Sequence, residues 1–299
     1  MKKQSQKNLW AQVVKTGIIK SNLIPMVAGL MLALYTYEYR FIDHIGDIVL
    51  AFIGTALIIG ASGSFNNIYD RDIDAVMART KGRPTVTGSI SIKKVAIVAS
   101  LLLAIGLTLL SFTSPLAAFL GFLGVFFYVV PYTMWTKRHT IWNTEVGSIS
   151  GAMPPLIGWA AVAPDIWHPA CWALFLIMVI WQMPHFYAIA IRKHDDYAAA
   201  KIPMLPVAKG AKRTFLQSNI YLVLLVLSSF LFLPLSLGLT LVSLLLGLIW
   251  LGLSLFGSRK MKVKDWANKM FLFSLIHMMV IFSTVIIYAS IGLVLASLS

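Results

Sequence analysis

The stretch from Ile45 to Asp74 reads IGDIVLAFIGTALIIGASGSFNNIYDRDID. Its first two-thirds is almost wholly apolar, and an α-helix needs about twenty apolar residues to cross a bilayer. The run then ends in a dense group of amides and carboxylates. This one stretch therefore predicts a membrane-spanning helix that carries polar chemistry at one end.

The composition of the whole chain agrees with a membrane location. Hydrophobic residues make up 59% of the 299 residues and charged residues 12%, whereas soluble proteins average roughly 45–50% and about 25%. Too few charges remain to cover a surface in water, which excludes a cytosolic enzyme, a disordered chain and a secreted disulfide scaffold. Cys171 is the single cysteine, so no intramolecular disulfide can form.

Eight further apolar runs resemble the first, which predicts an all-α, polytopic integral membrane protein. We expect nine transmembrane helices in one bundle, forming a single membrane-embedded domain over residues 1–299. The nine runs lie at about 13–34, 45–66, 94–112, 115–133, 141–163, 167–191, 216–235, 237–256 and 270–297. In the fifth run, Pro154-Pro155 predicts a helix break at a point where a cavity could lie.

The basic residues define an orientation. The net charge is +14, and 24 of the 25 Lys and Arg residues fall on alternate loops of one side. That side is expected to be cytoplasmic, which places the N-terminus inside and the C-terminus outside the plasma membrane. The basic excess then reflects topology and contact with membrane lipid, not nucleic acid. The long inner loops, about 67–93 and 192–215, predict that the chemistry occurs at the cytoplasmic face.

The polar end of the second run has the spacing of a ligand surface. If residues 63–74 continue as a helix at 100° per residue, one face collects Asn66, Asn67, Asp70 and Asp74, and Asp72 lies opposite. Carboxylate and amide oxygens suit Mg²⁺, which completes its shell with water and phosphate oxygens. Nearby cations that could bind the same phosphates are Arg79, Lys81 and Arg83. A solvated ion-pair cluster explains the same spacing equally well.

A second polar cluster follows the sixth run, and a third lies between the fourth and fifth runs. The second contains His185, Tyr187, Arg192, Lys193, Asp195, Asp196 and Lys201. One interpretation is a binding site, either for a second metal or for the far end of a diphosphate. The other is an ion-paired helix end. The third contains Lys137, Arg138 and Asn143.

Asn66-x-x-x-Asp70-x-x-x-Asp74, followed by Arg79-Thr80-x-x-Arg83-Pro84, resembles the UbiA superfamily of intramembrane prenyltransferases. Further stretches resemble the branch of that superfamily that farnesylates haem b. They are Lys137-Arg138-x-Thr140-x-x-Asn143, Gly151-Ala152-Met153-Pro154-Pro155-x-x-Gly158-Trp159, Trp181-Gln182-Met183-Pro184-His185-Phe186, and Asp195-Asp196-Tyr197 ahead of Ile202-Pro203-Met204-Leu205-Pro206.

The resemblance implies a nine-helix bundle around a central cavity that opens toward lipid, with the motifs capping it on the cytoplasmic side. It implies that Asn66, Asp70 and Asp74 are catalytic and hold Mg²⁺ on the diphosphate of farnesyl diphosphate. The acceptor would be a vinyl group of haem b, and water addition would give haem O, with a haem A synthase as downstream partner. The implied substrate-binding residues are Asn67, Arg79, Arg83, Lys137, Arg138, Asn143, His185, Tyr187, Arg192, Lys193, Asp195, Asp196 and Lys201.

Some roles stay open at this point. Lys137 and Arg138 are candidates for the haem propionates, and an iron ligand could come from His139, His185 or His194. The superfamily's second motif, D-x-x-Y-A-x-x-D, is incomplete here. Its Tyr-Ala is present as Tyr187-Ala188, but Pro184 and Ile191 replace its acids, and Arg192, Lys193 or Lys201 could supply positive charge instead.

Three other functions fit parts of the sequence. A small-molecule transporter would show paired broken helices at mid-membrane, and only the fifth run has such a break. A di-haem electron carrier would need histidines paired within spans, and only His277 lies well inside one. A related prenyltransferase acting on a quinone precursor would have the same diphosphate site.

Overall fold

The computed structural model describes residues 5–163 and 165–298, and all regular secondary structure within them is helical. The α-helices are α1 (Gln6–Val13), α2 (Thr16–Thr36), α3 (Ile45–Tyr69), α4 (Arg71–Val76), α5 (Pro84–Thr87), α6 (Ile92–Thr113), α7 (Pro115–Phe127), α8 (Lys137–His139), α9 (Asn143–Gly151), α10 (Met153–Val162), α11 (Pro169–Arg192), α12 (His194–Ala199), α13 (Leu205–Ser228), α14 (Leu237–Lys260) and α15 (Val263–Leu298). Short 3₁₀ helices cover Phe41–His44 and Ser229–Phe232, and a π-helix covers Tyr128–Thr136.

Within the described residues, eight helices are long and apolar enough to cross a membrane. They overlap eight of the nine predicted apolar runs over most of their length. Their outward faces carry many large apolar side chains, as expected for a bundle whose solvent is lipid. The all-helical membrane fold is confirmed.

The fifth predicted span is the exception, because it is two helices instead of one. α9 ends at Gly151 and α10 begins at Met153, with prolines at its first positions that cannot donate backbone hydrogen bonds to the preceding turn. The two halves still run antiparallel to α7. Gly147 packs against Tyr132 at one end, and at the other end the Ala160 carbonyl accepts a hydrogen bond from Ser114. The helix break that Pro154-Pro155 predicts is therefore confirmed, and the count of nine transmembrane helices stays a prediction.

α10 packs against α2 with their backbones almost in contact. A Cβ atom on Gly158 would overlap the carbonyl oxygen of Met26, and one on Gly29 would overlap that of Pro155. Small residues allow this approach between membrane helices. The broken pair is thereby held in the interior, where every residue of α10 is buried.

The two ends of the bundle differ in character. One end holds the polar motifs, and the predicted loops there also contain the short helices α4, α5 and α12. Helix α13 begins earlier than predicted. It is kinked at Gly210, whose positive φ of 74° favours glycine. The opposite end contains a cavity of about 1200 Å³, lined by residues such as Tyr35, His168 and Leu235. The predicted central cavity beneath the motifs stays a prediction.

Candidate active site

The first motif lies where α3 gives way to α4. The predicted continuous helix through residue 74 is interrupted, because Asp70 adopts φ −83° and ψ 7° between the two helices. The Asp74 amide nevertheless donates to the Asp70 carbonyl at 2.8 Å, so the helical spacing continues across the junction. Asn66, Asp70 and Asp74 are each at most 3% exposed. The motif faces the interior of the bundle.

Asp70 is the centre of a buried network. Its Oδ2 accepts a hydrogen bond from Asn66 Nδ2 at 2.7 Å and pairs with the Lys137 ammonium group. Asn66 Nδ2 also donates to Thr133 Oγ1 at 3.0 Å. Thr133 and Lys137 come from the π-helix and the residue after it, so this irregular end of α7 supplies two of the partners of the motif on α3.

Arg83 joins the two remaining motif residues. Its Nη1 pairs with Asp74 Oδ2 and donates to Asn67 Oδ1 at 3.1 Å. Asn67 Nδ2 in turn donates to the Val13 carbonyl at 2.9 Å. Asn67 therefore ties the N-terminal arm to the site.

Lys15 joins this network, although the sequence motifs did not predict it. It caps α2 in a left-handed conformation (φ 56°), and its ammonium group donates to Asn66 Oδ1. Gly63 makes room for it, because a Cβ there would lie 3.2–3.3 Å from the Lys15 side chain. Burial and the nearby Arg83 and Lys137 lower the pKa of Lys15 to about 7. Its only signal in the sequence is a lysine close to the start of the first predicted apolar run, where a basic residue also fits the topology.

Asp72 points away from this network, as the helical spacing predicts. It is 64% exposed and forms a two-pronged pair with Arg138, both contacts at 2.7 Å. This pairing lowers the pKa of Asp72 below its usual value. A third contact of Arg138, at 3.7 Å, reaches Asp70 Oδ1.

The oxygen atoms of the Asn66, Asp70 and Asp74 motif suit a divalent cation that also binds an anionic ligand. Asp70 Oδ1 is buried and accepts no hydrogen bond, although an unpaired buried oxygen costs about 1–3 kcal/mol. No group of three or more His, Cys, Asp or Glu residues with metal-binding geometry occurs in the described part of the chain. These oxygens therefore suit Mg²⁺ held by few protein ligands and several phosphate or water oxygens, not a closed protein cage.

Comparison with known proteins identifies the family of this chain. A model of the UbiA prenyltransferase family matches residues 22–276. The chain belongs to the UbiA prenyltransferase family. It is 60% identical over 294 residues to "Protoheme IX farnesyltransferase 2" of Lysinibacillus sphaericus, covering 98% of this chain and 93% of that one. It is 47% identical to a protein of the same name from Bacillus subtilis, covering 92% and 90%.

Solved structures share the UbiA-family fold at low sequence identity. A structure described as digeranylgeranylglyceryl phosphate synthase matches with a TM-score of 0.76 at 18% identity, covering 94% of this chain and 98% of that one. A UbiA homologue from Archaeoglobus fulgidus, bound to GPP and Mg²⁺, matches with a TM-score of 0.69 at 15% identity, covering 93% and 99%. The likeness extends over almost the full length of each chain.

The second cluster of this UbiA-family chain joins the two long loops at the motif end. Asp196 Oδ1 accepts a hydrogen bond from the Ala78 amide at 2.8 Å, and Arg79 contacts the Tyr197 hydroxyl at 3.4 Å. Asp195 is 97% exposed and contacts His194. The structure brings together the segments that carry Asp196 and Arg79, and the exposed predicted residues of these segments are Arg79, Arg192, Lys193, Asp195 and Lys201.

Two other predicted residues hold helices in position. Asn143 is fully buried and donates to the Thr140 carbonyl at 2.8 Å. Tyr187 donates to Glu145 Oε1, to which Gln217 also donates at 2.9 Å. Glu145, whose partner the sequence did not reveal, therefore joins α9 to α11 and α13. His185 and Arg192 lie on another side of α11, against α15.

Proposed function

We propose that this chain transfers the farnesyl group of farnesyl diphosphate to a vinyl group of haem b, with addition of water, giving haem O and diphosphate. The observation that carries the substrate assignment is 60% identity over 98% of the chain to a protoheme IX farnesyltransferase. The buried network around Asp70 supports the same chemistry from the geometry, because it surrounds two buried carboxylates with more cations than they neutralise.

The cations Lys15, Arg83, Lys137 and Arg138 would bind the diphosphate. Each already contacts a motif side chain, so little reorganisation is needed when an anion enters. Preorganised positive charge of this kind stabilises a leaving group as its negative charge develops. A bound diphosphate also favours the charged form of Lys15 and so reverses the effect of burial on its pKa.

Magnesium fits the same place. Asn66, Asp70 and Asp74 would hold Mg²⁺, which neutralises charge on the departing diphosphate. The Archaeoglobus fulgidus homologue was solved bound to GPP and Mg²⁺, which supports a divalent cation together with a prenyl diphosphate. Asp70 Oδ1, which is buried and accepts no hydrogen bond, is available to such a cation.

The apolar interior would protect the reacting prenyl group from water. As the C1–O bond of the farnesyl diphosphate breaks, the vinyl π electrons form the new C–C bond, and water then supplies the hydroxyl group to the adjacent carbon and loses a proton. Exclusion of water during the first step prevents hydrolysis of the prenyl group. The ring of Tyr128, whose centroid lies 5.9 Å from Lys15 Nζ, would stabilise positive charge by about 0.5–2 kcal/mol.

We further propose that residues 1–299 form one catalytic domain in the plasma membrane, with the N-terminus and the site cytoplasmic and the C-terminus outside. The concentration of Lys and Arg at the motif end supports this orientation. A haem A synthase is the proposed consumer of the product.

The test is a reaction of the purified protein with haem b, farnesyl diphosphate and Mg²⁺, with products identified by mass. We expect haem b plus one farnesyl group and one water. A parallel reaction offers a quinone precursor. Prenylation of that precursor with haem b unmodified would overturn the proposed acceptor while retaining the diphosphate site. Uptake of a solute by vesicles without either product would favour a transporter.

A further inference from the structure

His185 stands in a column of planar side chains between α11 and α15. Its ring stacks on Trp181 at a centroid distance of 4.6 Å and on Phe271 at 5.4 Å. Arg192 lies 4.1 Å over the Phe271 ring. Rings on both faces prevent His185 from rotating, so only the edge of the imidazole remains available for chemistry.

The hydrogen bonds determine which nitrogen carries the proton. Ser274 Oγ lies 2.5 Å from the Phe271 carbonyl oxygen, a separation that requires the hydroxyl proton to lie between them. A serine hydroxyl has one proton, so Ser274 Oγ can only accept from His185 Nδ1, which lies 2.6 Å away. His185 is therefore the Nδ1–H tautomer, and Nε2 carries a free lone pair.

Nε2 is both unpartnered and open. His185 is 9% exposed, and Nε2 has no hydrogen-bond partner among the described residues, yet it is not fully enclosed. Both ring nitrogens of His277, in contrast, are sealed inside the bundle. A ring locked by stacking, with one nitrogen donating and the other free, is the usual arrangement of a histidine that ligates a metal.

The other end of the column carries a charge. Arg192 uses Nε to donate to Asn268 Oδ1 at 2.8 Å, and the remainder of its guanidinium group forms no other hydrogen bond within the described chain. Arg192 is seven residues after His185 on α11, which separates them by roughly 10 Å along the helix. A planar ligand bound at the histidine through its centre could therefore present an edge carboxylate to the arginine.

We infer that His185 Nε2 is the axial ligand of the haem iron when haem b is bound as acceptor, with Ser274 holding the ligating tautomer and Arg192 pairing with a propionate. This inference rests on the proposed function and assigns the orientation of its acceptor. The other histidines of the cytoplasmic end are less suited. His139 and His194 are both exposed, whereas the ring of His185 is held between Trp181 and Phe271.

The test uses haem b alone, without a prenyl diphosphate, bound to the purified full chain in detergent. Resonance Raman spectra of the ferrous complex report the iron–histidine stretch, and labelling the protein with ¹⁵N-histidine shifts that band. We expect the band in the wild type, in H139A, in H194A and in H277A. We expect it to disappear in H185A and to return when imidazole is added.

S274A provides a second measurement that does not remove the ligand. It takes away the acceptor of the Nδ1 proton, so the iron–histidine frequency should shift and haem affinity should fall by roughly 10- to 100-fold, the usual effect of losing such a partner. Thermal unfolding in detergent checks that each variant is folded. R192M should weaken haem binding without changing the frequency.

An iron–histidine band that persists in H185A, or that disappears only in another histidine variant, overturns the inference. A wild-type complex without the band also overturns it. If the chain still converts haem b to haem O in that case, the proposed function stands and only the ligand is wrong. If haem b neither binds nor reacts while a quinone precursor is prenylated, the proposed function itself fails.

Discussion

Asp70 and Asp72 are two residues apart but belong to different environments. Asp70 is completely buried and carries an oxygen that accepts no hydrogen bond, whereas Asp72 is mostly exposed and forms hydrogen bonds with Arg138. We expect Asp70→Asn to reduce farnesyl transfer by about 10²–10³-fold, the usual effect of removing a preorganised electrostatic group. Asp72→Asn should reduce it only a few-fold. Product formation measured by mass, with both variants shown to be folded, checks this; equal losses would contradict it.

Lys15 offers a second residue-scale test. Its ammonium group enters the motif, whereas Lys20, on the same part of the chain, is exposed. Lys15→Met should raise the KM for farnesyl diphosphate by roughly 10- to 100-fold, because a hydrogen bond to a charged group contributes about 1.5–3 kcal/mol. The matched variant Lys20→Met should leave KM unchanged. Steady-state kinetics at saturating haem b measures both, and an unchanged KM in Lys15→Met would remove this residue from the diphosphate site.

At the scale of elements, the broken helix depends on its contact with α2. Gly158→Ala would force its Cβ against the Met26 carbonyl, a backbone atom that cannot move aside easily. We expect a loss of about 1–3 kcal/mol in stability, as is typical of overpacking, seen as a lower unfolding temperature in detergent. Gly252→Ala in α14 has no heavy atom within 4 Å and is the control. Comparable losses in both variants would show that the contact is not decisive.

The two long loops at the motif end are a second feature at this scale. Asp196 accepts from the Ala78 amide, whereas the adjacent Asp195 is exposed. Asp196→Ala should release the segment around residues 77–83, which carries Arg83. We therefore expect added protease to cleave this segment faster and the enzymatic activity to fall. Asp195→Ala should match the wild type in both measurements. If the two variants behave alike, the hydrogen bond does not hold the loops together.

At the scale of the whole molecule, the orientation can be tested by labelling. Cys171 is buried, so Cys171→Ser provides a background without a reactive thiol. Lys81→Cys at the motif end should react with a membrane-impermeant maleimide only in inverted vesicles, and Asp43→Cys at the other end only in right-side-out vesicles. Both positions are exposed. Labelling of both from the same side would contradict the proposed topology.

The local sequence pattern was sufficient to predict most of the helices and the orientation of the motif side chains. Hydropathy runs predicted eight helices that the structure contains, since a helix in lipid must satisfy its own backbone and needs only length and apolarity. The spacing of Asn66, Asp70 and Asp74 predicted one inward face, and it also placed Asp72 outside that face. These properties depend on residues that are close together in the chain, so they can be predicted directly from the sequence.

The long-range contacts of the candidate site depend on the tertiary structure. Lys15 reaches Asn66 across 51 positions, and His185 reaches Ser274 across 89. No periodicity encodes such pairs, because they depend on how separate helices pack after insertion. The sequence by itself determined a membrane-embedded helical chain with an acidic motif at one end; only the packed bundle decided which cations reach that motif and which nitrogen of His185 remains free.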